Sequence, residues 1–418
     1  MKAGILLVGD ELTGGRVLDI NSSYIAERLD LSGWGVSAII TVGDDGEAVK
    51  GGLEYLLDRS EGVIVAGGLG PTADDITTAA VAAAFNLSLH MDDEVLRKLK
   101  GRFETYHIPW TENNSKQAVF PAGAIVLENR AGTAAGFCIE RGGKLVAVIP
   151  GVPGEARRMA AEEVLPCFEK FFGKADEKKM RKQVRLFGLS ESKIDETIAL
   201  MGPFPDVSVG FYARFPEIHL LLTARGKNES EAAARLEEAV KKIHEKLGRY
   251  IYGYDDETIE GIVASLLIER GYTLAVAESC TGGLITDRLT NIPGSSGFLE
   301  RGAVVYSNLS KVELLGVPPE IIKAHGAVSR ETAELMARGV REMAKTDIGL
   351  ATTGIAGPSG GSEEKPVGTV YFALSDSSKT YCRKSHFRWD RRRVKEISSQ
   401  FALEMLRRYL IEGRVFDE

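Results

Sequence analysis

The sequence predicts an α/β protein, with two three-layer α/β domains built on mainly parallel sheets and joined by a small α+β middle domain. Three observations carry this prediction. Short apolar runs alternate with segments of helical period through residues 1–172 and again through 255–418, the pattern of strands covered on both faces by helices. Most of these runs end in glycine- or aspartate-rich turns, where open α/β sheets collect ligands. Between them, residues 173–254 break the pattern with a basic stretch, Lys178-Lys179-Met180-Arg181-Lys182, followed by strand, helix, two strands and a long helix.

In the first domain, strands are expected at 4–8, 36–42, 62–66, 124–127 and 145–149, and helices near 21–32, 48–59, 77–85 and 94–102. In the middle domain the basic stretch reads as a solvated linker, because no aromatic residues interleave with it to stack bases. The long helix is expected over 229–247 and a tyrosine-rich run, 250–256, closes the unit. The last domain opens with a helix to Arg270. Strands follow at 273–277, 302–306, 348–352 and 369–374, an alternating strand surrounds His386, and a closing helix runs from about 392 to 411.

Composition narrows the function classes. Lys+Arg 52 against Asp+Glu 59 gives a net charge of −7, which disfavours nucleic acid as a partner. Cys138, Cys167, Cys280 and Cys382 form no C-x-x-C pair, an arrangement that suits a reducing cytoplasm and argues against structural zinc. The first apolar run is too short for a secretion signal, and no run of 18 apolar residues occurs, so no membrane partner is expected.

The first candidate site follows the run 62–66. Gly67, Gly68 and Gly70 let the backbone approach a ligand, and with Thr72 they lead into a helix whose exposed amides favour phosphate. Asp74 and Asp75 would repel a phosphate unless a cation lay between, so this turn suggests a divalent metal as well. One of the two aspartates is expected to cap the helix. Asp10-Glu11 and Asp44-Asp45 end the first two strands, which makes Asp10, Glu11, Asp44, Asp74 and Asp75 the candidate metal ligands. Two further turns, one containing Gly132 and Thr133 and one containing Gly151, complete the glycine-rich strand ends.

The second candidate site is Ala277-Glu278-Ser279-Cys280-Thr281-Gly282-Gly283, between a strand and a helix. A hydroxyl at such a turn is exposed to substrate and backed by helix amides, so Ser279 is a candidate nucleophile. Its competing role is a helix N-cap, and Cys280 competes with it as a nucleophile. Neither His325 nor His386 sits at a glycine-rich strand end with acidic company, which leaves a Ser-His-Asp triad poorly supported. Lys311 is the other option for a base: a short helical turn could return its amine to the sheet edge, where desolvation would lower its pKa. A solvated surface lysine is the alternative. The cluster 352–361, with Gly354 and Gly357, suits a phosphoribosyl group, and one of Arg388, Arg391, Arg392 and Arg393 is expected to clamp phosphate.

Two resemblances add to these readings. Gly67-Gly68-Leu69-Gly70-Pro71 followed by Asp75-Ile76-Thr77 resembles the signature of the molybdopterin-binding (MoCF) fold, with Leu69 where that fold has Thr. With Gly9-Asp10-Glu11-Leu12 and Asn21-Ser22, the first domain is more similar to the N-terminal half of the CinA family. That likeness implies an ADP-ribose pyrophosphatase, dependent on a divalent metal such as Mg, Mn or Co, that yields AMP and ribose 5-phosphate, with Asp75 as its catalytic carboxylate. Pterin or nucleotide binding without catalysis remains the alternative.

Residues 277–283, Tyr306-Ser307-Asn308, 325–329, 354–358 and 365–370 resemble the nicotinamide-nucleotide amidase (PncC) domain. The resemblance implies hydrolysis of nicotinamide mononucleotide to nicotinic acid mononucleotide and ammonia, without a cofactor. Its serine–lysine dyad falls on Ser279 and Lys311, with Tyr306 and Thr353 assisting. Thr281, Gly282, Gly283, Asn308, Gly354, Gly357 and Arg391 then surround the substrate. The middle domain resembles the KH-like unit of the family, and a homodimer is implied by analogy. The family name also raises a DNA-uptake or repair accessory, against which the net charge stands.

Overall fold

The computed structural model describes residues 1–173 and 177–415. Residues 174–176, at the start of the expected middle domain, and the last three of the expected third domain lie outside the described residues. The chain divides into two compact units, Met1–Arg181 with Thr223–Leu236, and Lys182–Leu222 with Glu237 onward.

The first unit is built on a six-stranded sheet, in the order Gly35–Val42, Lys2–Val8, Gly62–Ala66, Lys144–Ile149, Gly136–Arg141, Ile125–Leu127. The first four are parallel, and the last two are joined on by antiparallel pairings, so that only Gly136–Arg141 runs against the rest. Continuous apolar runs form the central strands because both faces are covered, and alternate side chains serve opposite layers. Ile5 and Leu7 pack with Ile25, Leu29, Trp34 and Phe168 on one face. Leu6 and Val8 pack with Leu53, Leu56, Val81 and Phe137 on the other. The strand Gly136–Arg141 was not anticipated, although Gly142-Gly143 between two apolar runs is a hairpin signal.

The last domain, in the second unit, carries a five-stranded sheet in the order Leu299–Val304, Leu274–Glu278, Ile348–Gly354, Thr369–Ser375, Thr380–His386. The first three strands are parallel, and the last two are joined on by antiparallel pairings, so that only Thr369–Ser375 runs against the rest. Helices Ile259–Arg270 and Arg391–Glu412 cover one face, with Val263, Leu267, Leu403 and Leu406 in the core. The helix Arg330–Ala344 covers the other through Ala333, Met336 and Val340. Both sheets are therefore parallel-rich, each with antiparallel pairings toward one edge. The strand expected at 302–306 starts earlier and stops at Val304.

The middle segment is a four-stranded sheet, in the order Val207–Arg214, Glu217–Gly226, Lys178–Leu186, Ile251–Tyr254, with helices Glu191–Leu200 and Glu229–Leu247. The basic stretch is not a solvated linker: it forms the strand Lys178–Leu186, and Lys179 and Arg181 both pair with Asp30, at 2.7 and 2.6 Å. Among the described residues, no helix is long and apolar enough to cross a membrane.

Candidate functional site

In the last domain the carboxyl ends of three adjacent parallel strands deliver the chemistry to one edge. Ser279 directly follows the strand Leu274–Glu278, its amide donating to Thr352 O at 2.9 Å. It is not a helix cap. The helix Leu284–Thr290 starts from Gly283, and its orphan amides are taken by the Glu278 carboxylate. Oε2 accepts from Gly283 N (3.0 Å) and Ile285 N (3.1 Å), and Oε1 from Thr286 N (2.8 Å) and Thr286 Oγ1 (2.7 Å). Gly282 (φ 62°) and Gly283 (φ 93°) take left-handed conformations that fold the chain back over this carboxylate.

Lys311 lies in the first turn of the helix Asn308–Leu315, whose cap is Ser307 Oγ accepting from Ser310 N at 3.0 Å. Side chains on a helix tilt toward its N-terminus, which sends Lys311 back to the sheet edge. Its Nζ lies 3.2 Å from Ser279 Oγ and donates to Val305 O at 2.8 Å and Tyr306 O at 3.3 Å. The residue is 1% exposed, and burial lowers its pKa below the ordinary lysine value of 10.5. Cys280 is different: burial pushes its thiol up to about 12, which disfavours the thiolate form.

Ser279 and Lys311 line a cavity of about 330 Å³ together with Tyr306, Thr353, Gly354, Gly357 and Arg391. Arg391 Nη2 donates to Tyr306 Oη at 2.8 Å and Nη1 to Gly357 O at 2.9 Å, while Thr353 Oγ1 donates to Ala327 O at 2.7 Å. The remaining expected residues stand outside the lining. Thr281 is fully buried and shares its hydroxyl with Thr352 at 2.8 Å, Gly282 and Gly283 build the turn, and Asn308 is an exposed helix residue. His325 does have an acidic neighbour, Glu331 at 3.7 Å, but it lies on the surface and not on the cavity wall.

In the first unit, a cavity of about 400 Å³ sits at the carboxyl ends of the parallel strands, lined by Glu11, Asp44, Gly67, Gly68, Gly70, Asp74, Asp75, Thr133 and Gly151. Asp10, Thr72 and Gly132 are not on its wall. Asp10 instead latches the first two strand ends: its N donates to Asp44 Oδ2 at 2.9 Å, and its own Oδ1 accepts from Asp44 N at 3.1 Å. Thr72 gives its amide (2.8 Å) and its hydroxyl (2.6 Å) to Asp75 Oδ2. The cap position of the helix Thr77–Ala84 is Ile76, with no side-chain bond, so neither aspartate caps it. The glycines are required here: a Cβ on Gly67 (φ 118°) would lie 2.1 Å from Val8 O.

Among the described residues, no lysine or arginine lines this cavity. Burial raises the Asp44 carboxyl above its usual range, only partly countered by the Asp10 amide, and the charges of Asp10, Glu11 and Asp74 push it the same way. Among the described residues, no three His, Cys, Asp or Glu side chains gather where they could hold a metal ion. Two lining residues were missed from sequence, Gln117 and Glu155. Glu155 accepts from Asn129 Nδ2 at 2.6 Å, and the Pro-Gly-x-Pro-Gly turn before it was the available signal. Gln117 carried no such signal.

Three family models tile the chain: "Probable molybdopterin binding domain" over residues 4–170, "Damage-inducible protein CinA KH domain" over 181–253 and "CinA C-terminal domain" over 256–410. A CinA-like protein of Syntrophus aciditrophicus is 55% identical over 417 residues, covering 99% of each chain. A putative competence-damage inducible protein of Caldanaerobacter subterraneus is 45% identical, covering 100% of each chain. A crystal structure of competence damage-inducible protein A from Klebsiella pneumoniae aligns at 34% identity and a TM-score of 0.36, covering 37% of this chain and 97% of that one.

Proposed function

The chain belongs to the CinA family, and from that premise and the site geometry we propose that its C-terminal domain hydrolyses the carboxamide of nicotinamide mononucleotide. The observation that carries this reading is the desolvated Lys311 amine 3.2 Å from Ser279 Oγ at the wall of a cavity that also holds Arg391. A neutral Lys311 takes the Ser279 hydroxyl proton as Oγ bonds to the carboxamide carbon. The tetrahedral intermediate collapses by breaking the C–N bond, and Lys311 returns the proton to the departing ammonia. Water, deprotonated by the same amine, then cleaves the acyl-serine to the carboxylate and frees Ser279. Arg391, oriented by Tyr306 and Gly357, binds the phosphate.

Ammonia release from nicotinamide mononucleotide tests this with wild type, Ser279→Ala, Lys311→Ala and Cys280→Ala, each checked for folding. The reading requires the first two variants to be inactive and Cys280→Ala to be active. A wild type that releases no ammonia overturns it.

The first domain supports a second activity, hydrolysis of ADP-ribose to AMP and ribose 5-phosphate. Its cavity combines bare glycine backbone, which a pyrophosphate can approach, with carboxylates and, among the described residues, no cationic side chain. The donor set fits a divalent cation shared with the substrate, held by one or two carboxylates and completed by phosphate oxygens and water, rather than a closed protein cage. Asp44 and Asp74 would hold it, and it would supply neutralisation of the pyrophosphate charge. Asp75, fixed by Thr72, remains the residue to orient the attacking water. AMP formation with Mg, Mn or Co and its loss with chelator tests this; ADP-ribose binding without turnover would favour a binding module instead. A salt-dependent gel-shift separates the DNA-accessory reading, which absence of binding at low salt removes.

A further inference from the structure

The turn that leads into the helix Arg391–Glu412 carries more than Arg391. Trp389 is 46% exposed, and its ring meets that of Phe215 edge-on with centroids 5.2 Å apart. The Arg393 guanidinium lies over both rings, 5.2 Å from the Phe215 centroid and 5.1 Å from that of Trp389. Phe215 occupies the turn between the middle-domain strands Val207–Arg214 and Glu217–Gly226. The tip of that hairpin is therefore held against the start of the last helix by an aromatic–cation sandwich. Asp390 ties the same turn together, its carboxylate accepting from the amides of Arg392 and Arg393 at 2.9 and 3.1 Å. Arg391 sits inside this braced turn and lines the cavity. A guanidinium that must present two donors to one anion tolerates little angular error.

The geometry points to Phe215 as a positioning residue for the C-terminal site: through Trp389 and Arg393 the hairpin holds Arg391 in the orientation that receives the phosphate of a mononucleotide. This rests on the nucleotide reading of the cavity and extends it by giving the middle domain a part in substrate binding. The Ser279–Lys311 pair is held by other elements, the strand Leu274–Glu278 and the helix Asn308–Leu315. Affinity, and not the chemical step, is thus the quantity that Phe215 controls.

The test uses the full chain. Nicotinamide mononucleotide is titrated calorimetrically into Ser279→Ala, which does not turn it over, and into Ser279→Ala carrying Phe215→Ala as well. Loss of the brace is expected to weaken binding about tenfold. Phe215→Tyr, which keeps the ring, restores the affinity, and Trp389→Leu reproduces the loss from the other side of the contact. With Ser279 intact, Phe215→Ala raises KM about tenfold and leaves kcat unchanged. Phe215 is half-buried, so the substitution removes no core residue. Equal affinity with and without Phe215, or a fall in kcat matching the rise in KM, overturns the inference while leaving the amidase reading in place. Failure of Ser279→Ala to bind the nucleotide overturns both. Phe215-dependent binding with no ammonia from wild type upholds the inference and removes the amidase.

Discussion

Replacing Glu278 by glutamine leaves size and shape almost unchanged and removes one acceptor oxygen from a group that serves four donors. In the native turn each carboxylate oxygen takes two: Gly283 N and Ile285 N on Oε2, Thr286 N and Thr286 Oγ1 on Oε1. Glutamine satisfies one pair and turns an NH₂ toward the other, where donor faces donor. Glu278 is 0% exposed, so water cannot take up the slack. Hydrogen bonds to a charged group contribute about 1.5–3 kcal/mol each, so two lost bonds predict a local destabilisation of about 3–6 kcal/mol. At tenfold per 1.4 kcal/mol, opening of the 279–290 segment becomes more frequent by about 150-fold or more. Amide hydrogen exchange, read by mass spectrometry on peptides covering Ser279 and the helix Leu284–Thr290, measures this directly. Peptides of the first unit serve as the internal control. Acceleration of less than about threefold would refute the reasoning, because it would mean that the carboxylate charge contributes nothing to holding the turn.

Further predictions concern the neighbouring groups. Because burial lowers the Lys311 pKa from 10.5, turnover is expected to climb as pH rises through the depressed value, and Lys311→Met is expected to lower it by about 10³-fold across the range. The same shift sets a stability slope. Below the folded-state value the buried ammonium costs stability in full, and between that value and 10.5 the folded chain has shed a proton that the unfolded chain keeps, so stability rises with pH. Denaturation of wild type against Lys311→Met between pH 7 and 10 reads this slope, which the variant is expected to lack. Iodoacetamide near neutral pH is expected to label Cys167 first, since the hydrogen bond from Cys138 lowers its pKa to about 7, and Cys280 last, with its thiol at about 12; peptide mapping decides it. Gly68→Ala is expected to cost the first unit about 2 kcal/mol or more in denaturant titration, because φ is +64° and the new Cβ would lie 2.2 Å from Thr77 Oγ1.

The glycine turns and the strands ahead of them were legible because both signals are local: apolar runs announce a buried strand, and bare glycines announce the place where the chain must turn sharply. The approach of Lys311 to Ser279 was foreseeable as an option, since a helix starting just after a strand can aim its first-turn side chains only back at the sheet. What the acidic residues do was not legible. Asp10 and Asp75 read as charges aimed at a ligand and Glu278 drew no reading at all, yet each is engaged with backbone amides brought near by the fold. An unpaired amide has no letter in the sequence, so its partner cannot be read there. The basic stretch 178–182 misled for the related reason that its counter-charge, Asp30, lies about 150 positions away. The contact of Phe215 with Trp389 is of the same long-range kind.

The way the five-stranded sheet closes has a practical corollary. The strand Thr369–Ser375 runs back beside Ile348–Gly354, pairing Ser375 with Gly349, so the turn joining it to Thr380–His386 emerges at the rim opposite Ser279. Residues 377–379 there are exposed. A fluorophore, an affinity handle or a surface tether grafted at Ser377 or Ser378 would hold the molecule from behind, leaving the mouth of the cavity open to solution while its occupancy is watched.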